Sequence, residues 1–151
     1  MSQLKNQSFS DPEFQPNETS LGSVPDVNID KWKRVSELTH GLKLFGQEVQ
    51  PHQAISFKNE KMEGFQAVAA CLAERPNRIR SMFGEQRHSK NGGYGLFLRQ
   101  KGEIQEVAFD DYVPVNNEGH PLFSKPVHSS IWMTLLEKAR AKAYGSYQKM
   151  S

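Results

Sequence analysis

Apolar positions recur along this chain with a period that changes from segment to segment, and each change marks an element. The most apolar run is Glu63 to Pro76. Phe65, Val68, Ala69 and Leu72 fall at i, i+3, i+4 and i+7, one face of a helix. The flanking Ala67, Ala70, Cys71 and Ala73 are small and also apolar, and charge appears only at the two ends. A helix apolar nearly all round predicts a long buried central helix. Pro76 predicts its end, because the residue before a proline avoids the α region. A second helical pattern runs through Trp132, Leu135, Leu136, Ala139 and Ala143. Ser129 or Ser130 can cap it, and Gly145 can stop it.

Period-two signal is clearest where Tyr94 to Gln100 and Glu103 to Phe109 flank Lys101-Gly102. That arrangement predicts a hairpin over about 94–109. Asp110 to Val115 continues as an edge segment, where Pro114 is tolerated. Between these elements the pattern is weaker. Asp30 can cap a short helical turn carrying Trp32, Val35 and Leu38. Leu42 to Val49 reads as extended, and 50–62 as a polar loop apart from Ile55 and Phe57. Asn77 can cap a short helix through Ile79, Met82 and Phe83. Residues 1–29 hold Pro12, Pro16 and Pro25 with few large apolar side chains, so they read as an extended arm. Phe9, Phe14, Leu21 and Val24 would anchor that arm on a body formed by 30–151.

Bulk composition narrows the class without naming a partner. A chain of 151 residues suits one domain. One cysteine excludes an internal disulfide and fits a reducing compartment. No apolar run approaches the ~20 residues of a membrane span. Met1-Ser2-Gln3 opens no signal peptide, and Ser2 stands where myristoylation needs glycine. A net charge of +2 selects no partner class. The expectation is a soluble, intracellular, cytoplasmic protein.

The side chains with chemical potential mostly read as structural. Cys71 sits mid-helix among alanines, away from the helix N-terminus that would activate a thiolate. His40, His52, His88, His120 and His128 form no ligand spacing suited to zinc. Asp110 and Asp111 are adjacent on a strand and point to opposite faces, so one ties a loop rather than sharing a substrate. Asn91 to Gly95 precedes a strand, whereas a phosphate cradle precedes a helix. Arg75, Arg78, Arg80, Arg87 and Lys90 form a basic stretch that reads as a solvated face or a contact for an acidic partner. Without interleaved aromatics it does not read as a nucleic-acid site.

Several phrases nevertheless occur together in a particular order. They are Phe9-Ser10-Asp11-Pro12-Glu13-Phe14, Trp32-Lys33-Arg34-Val35-Ser36-Glu37-Leu38, Leu72-Ala73-Glu74-Arg75-Pro76, Asp110-Asp111-Tyr112-Val113-Pro114-Val115, Leu135-Leu136-Glu137-Lys138-Ala139 and Tyr144-Gly145-Ser146-Tyr147. Their order and spacing resemble the first half of the calpain protease core, from about Phe9 to the C-terminus. The resemblance implies an α+β fold: the helical half of a papain-like cysteine protease, with a buried central helix, a long C-terminal helix and a small antiparallel sheet. In active members the central helix begins with the nucleophilic cysteine. An ungapped count places Glu63 at that position, Gly64 at the following tryptophan and Phe57 at the glutamine that stabilises the oxyanion. The family's histidine and asparagine lie in a second half that this chain does not include. The resemblance also implies a calcium site built from backbone carbonyls and a pair of carboxylates. At its positions stand Val49, Ala54 and Ser130.

From these substitutions the sequence predicts a non-catalytic domain without cofactor or calcium, because acyl transfer needs an activated nucleophile and oxyanion donors. It would act as a protein-binding or structural module, in the cytoplasm or, by analogy with the family, on a cytoskeletal or ciliary assembly. Its partner-binding candidates are Glu63, Gly64, Phe57, Arg78, Arg80 and Arg87. The alternative is a split or regulatory half that pairs with, or competes for, a calpain-type protease chain.

Overall fold

The computed structural model describes residues 8–23, 31–55 and 61–150. In chain order they form α1 (Glu18–Leu21), β1 (Trp32–Arg34), 3-10 turns at Val35–Glu37 and Pro51–Ile55, α2 (Glu63–Ala73), α3 (Pro76–Arg80), β2 (Gly93–Gln100), β3 (Glu103–Asp110), β4 (Tyr112–Pro114), α4 (Trp132–Tyr144) and α5 (Tyr147–Met150). The mixed helix and strand class agrees with the expectation.

The hairpin lies where the alternation places it. β2 and β3 pair antiparallel from Gly93↔Asp110 to Gln100↔Glu103. Lys101 (φ 50°) and Gly102 (φ 87°) turn the chain, as a two-residue turn with positive φ at both positions requires. β4 does not extend this hairpin. It pairs instead with β1, in the register Trp32↔Pro114 to Arg34↔Tyr112. The expected helical turn at Trp32 is therefore corrected: Trp32–Arg34 is a strand, and only Val35–Glu37 turns. The polar loop expected over 50–62 contains the Pro51–Ile55 turn.

Helix boundaries shift in two places. Pro76 ends α2 but also opens α3, where its missing N–H costs nothing at the first helical position. Ile131 rather than a serine precedes α4, and neither Ser129 nor Ser130 caps it. Gly145 stops α4 as expected, with φ 98°.

The larger correction concerns burial. α2 buries only Gln66, Ala69 and Ala73, and Val68 is 59% exposed. The central buried helix is α4, where every residue from Trp132 to Ala139 is buried. Alanines carry little apolar area, so one packed face satisfies α2, while Trp132, Leu135 and Leu136 supply the larger return. The main core joins α4 to Leu44, Val49, Ala69, Ile79, Leu96 and Phe109.

Residues 8–23 pack more closely than an extended arm implies. Asn17 caps α1 by accepting from the Ser20 N–H. Phe14 and Leu21 are buried in a second core with Met62, Phe123 and Tyr147, the last two stacked at 4.7 Å. Phe9 is partly exposed, and Val24 lies outside the described residues.

Candidate functional site

The N-terminus of α2 presents Glu63 and Gly64 to solvent. Met62 before them is fully buried, and its carbonyl accepts the Gln66 N–H at 2.9 Å. Burial of Met62 thus fixes where the helix starts and leaves the next two residues outward. A Cβ added at Gly64 would meet nothing within 4 Å. The Glu63 carboxylate sits at the helix end that favours negative charge. Phe57 lies outside the described residues. Cys71 is exposed, which corrects its reading as a packing residue.

The positions matched to the calcium site fall in two environments. Val49 and Ala54 are buried in the main core. Ser130 is buried against Gly46, and its Oγ has no hydrogen-bond partner among the described residues. Between them lies Gln53, which sequence reasoning passed over. Its Oε1 accepts from Trp132 Nε1 at 2.6 Å, and its Nε2 donates to the Glu48 carbonyl at 3.2 Å. The rings of His52 and His128 meet 6.2 Å apart beside it. Gln53, His52 and His128 line a cleft with Gly46 and Ser129, in which Glu48 is the sole carboxylate among the described lining residues. None of Val49, Ala54 and Ser130 carries a carboxylate, so this donor set does not fit a calcium ion, which needs several oxygens including anionic ones.

The arginine candidates gather at the other end of α2, about 16 Å along an eleven-residue helix from Glu63. Arg80 and Arg87 line a 400 Å³ cleft with Phe45, and the Arg80 guanidinium lies 5.1 Å from the Phe45 ring centroid. Arg75, Arg78 and Arg80 share a second cleft with Glu48 and Glu74. The structure therefore does not unite Glu63 and Gly64 with the arginines in one site.

What it does unite is a set of buried charges. Lys138, fully buried, pairs with Asp110 and donates to the Tyr112 carbonyl. Asp110 also accepts the Asp11 N–H at 2.8 Å, and Asp11 pairs with Lys142 at 2.7 Å. Asp111 pairs with Arg34 at 2.6 Å, and Arg34 donates to the Phe9 carbonyl at 2.8 Å. Gly92 makes room for that pair: a Cβ there would lie 2.5 Å from Arg34 Nη1. Burial lowers the Lys138 pKa, and Asp110 opposes the shift. Burial raises Asp111, with Arg34 opposing. Burial also pushes Glu137 up to about 7, against hydrogen bonds from Ser124. A buried charge survives only when paired and hydrogen-bonded. Both aspartates are therefore tied down, where the sequence suggested one.

Asp11, Arg34, Asp110, Asp111, Glu137 and Lys138 all belong to the phrases that carried the family resemblance. Comparison with known proteins agrees with it. A family model described as "Calpain family cysteine protease" matches residues 9–151. The chain is 26% identical over 156 residues to calpain-type cysteine protease ADL1 of Oryza sativa, covering 94% of this chain and 7% of that protein. It is 27% identical over 158 residues to calpain-5 of Caenorhabditis elegans, covering 97% of this chain and 24% of the relative. Over 90 residues it is 37% identical to human calpain-12, covering 57% of this chain and 12% of the relative. The chain thus spans a quarter or less of the length of each. These matches correct the expectation that the chain is not an enzyme: the family that the model describes, and the rice relative by name, are cysteine proteases.

Proposed function

We propose, from the premise that this chain belongs to the calpain family of cysteine proteases, that it serves in peptide-bond hydrolysis as the helical half of a calpain-type peptidase core. The observation that carries this reading is the family match over residues 9–151. The charge network supports it, because a half-core that must meet a second half needs its own interior fixed. The other half would come from outside these 151 residues, from a longer protein or a separate chain. A cysteine peptidase attacks with a thiolate. Within this sequence the only thiol is Cys71. The test is hydrolysis of a peptide substrate by the native protein carrying this chain, with and without a thiol-directed covalent probe. Hydrolysis blocked by the probe supports the reading, and a native protein that cleaves nothing ends it. Cys71→Ser then reports whether the attacking thiol lies in these residues.

A second reading rests on the exposed apolar side chains of α2. Here the chain binds a protein partner, either a calpain-type protease chain or a subunit of a cytoskeletal assembly. Affinity purification of the native protein separates the two by what travels with it.

A further inference from the structure

A groove of about 860 Å³ runs along the outer face of α2, between it, the turn end of the β2–β3 hairpin and α4. Its walls are apolar: Phe65, Val68 and Leu72 from α2, Leu98 from β2 and Leu136 from α4. Val68 and Tyr144, at 59% and 53% exposed, are among the most open large apolar side chains described. Apolar area that remains contiguous and open marks a docking surface more often than chance.

The charges of the groove define its occupant. Arg99, Lys101 and Arg140 line it, and no carboxylate does among the described lining residues. Arg140 lies deepest. Its guanidinium sits 4.3 Å from the Phe65 ring centroid and 5.3 Å from that of Tyr144. Its Nε is buried and has no hydrogen-bond partner among the described residues. A buried donor left unpaired costs free energy, and a carboxylate is its strongest complement. Three cations around an apolar floor also repel each other until an anion arrives.

We propose that this groove docks an acidic amphipathic segment of a partner protein. Its apolar side chains would lie along Val68 and Leu72, and a carboxylate would accept from Arg140. Glu63 and the thiol take no part, so the inference stands or falls apart from the peptidase reading.

Fluorescence anisotropy of the 151-residue chain tests it with two designed helical probe peptides. One carries a leucine face flanked by glutamates, and the other replaces every glutamate with lysine. The glutamate peptide should bind, more weakly as salt is raised, and the lysine peptide should not. Arg140→Gln should weaken binding about tenfold or more. Val68→Glu, on an open helix face, should remove it with the circular dichroism unchanged. The exposed pair Arg99→Gln/Lys101→Gln serves if Arg140→Gln fails to fold, and should reduce the salt dependence. Equal binding of both peptides, binding of neither, or binding indifferent to these substitutions would overturn the proposal. So would a dimer that Val68→Glu dissociates, because the occupant would then be a second copy.

Discussion

Along α2 only Gln66, Ala69 and Ala73 are buried, whereas along α4 every residue from Trp132 to Ala139 is. Yet α2 is nearly free of charge, and α4 carries Glu137, Lys138, Arg140 and Lys142. Apolar character alone therefore does not decide which helix a fold takes inside. Size and partnership do. α4 brings Trp132, Leu135 and Leu136 to the core, and its two buried titratable side chains each find a dedicated partner, Glu137 in Ser124 and Lys138 in Asp110. α2 brings alanines, whose burial returns little. Its larger side chains, Val68 and Leu72, are left along an open groove.

The strongest way to break this contrast is to remove one partner from α4. Lys138→Ala leaves Asp110 buried and uncompensated, and should cost about 3–5 kcal/mol in urea unfolding. A loss under about 1 kcal/mol would mean that the pair does not decide the burial of α4. Leu135→Ala should cost about 2–5 kcal/mol by cavity formation. Leu72→Ala on α2 should cost visibly less, and equal losses would erase the difference between the helices.

A pH titration sharpens the comparison without creating a cavity. Burial raises the folded-state pKa of Glu137 from the usual 4.5 to about 7. Between those values the folded state holds a proton that the unfolded state has lost. Stability should therefore fall as pH rises from about 4.5 to about 7, with a limiting slope near 1.4 kcal/mol per pH unit from this group. Glu137→Gln should flatten that stretch of the curve, and an unchanged slope would assign it to other groups. The smallest effect belongs to α2: Val68→Glu should alter stability by no more than about 0.5 kcal/mol. A larger loss would show the outer face of α2 to be covered in solution.

Periodicity made the hairpin and both long helices legible in the sequence, because a two-residue turn with Gly102 and an i, i+3, i+4 pattern are local signals. Which helix would be buried was not legible. That depended on Lys138 meeting Asp110 across 28 residues of sequence, which no local window contains. Gln53 was missed for the same reason: its partner Trp132 lies 79 residues away. A buried indole N–H needs an acceptor, which could have prompted the search. Gly92 was legible as a turn, but not as the gap that admits the Arg34–Asp111 pair.

The Asp11–Lys142 ion pair joins residues 131 apart, and Asp11 is held through its backbone by Asp110, 99 residues on. Synthesis runs from the N-terminus, so Asp11 leaves the ribosome long before either partner exists. Until α4 and α5 emerge, the segment around Phe14 lacks Lys142 to pair with Asp11 and the Tyr147 ring to pack against Phe14. Loops of this length close late, since their entropy must be met before their contacts form. Nascent chains arrested before residue 138 should thus remain open to protease near residues 11–14, and chains extended far enough for residue 150 to leave the ribosome should be protected there. The N-terminal segment is fastened by α4 and α5, and those helices must be made before Asp11 and Phe14 have a place to go.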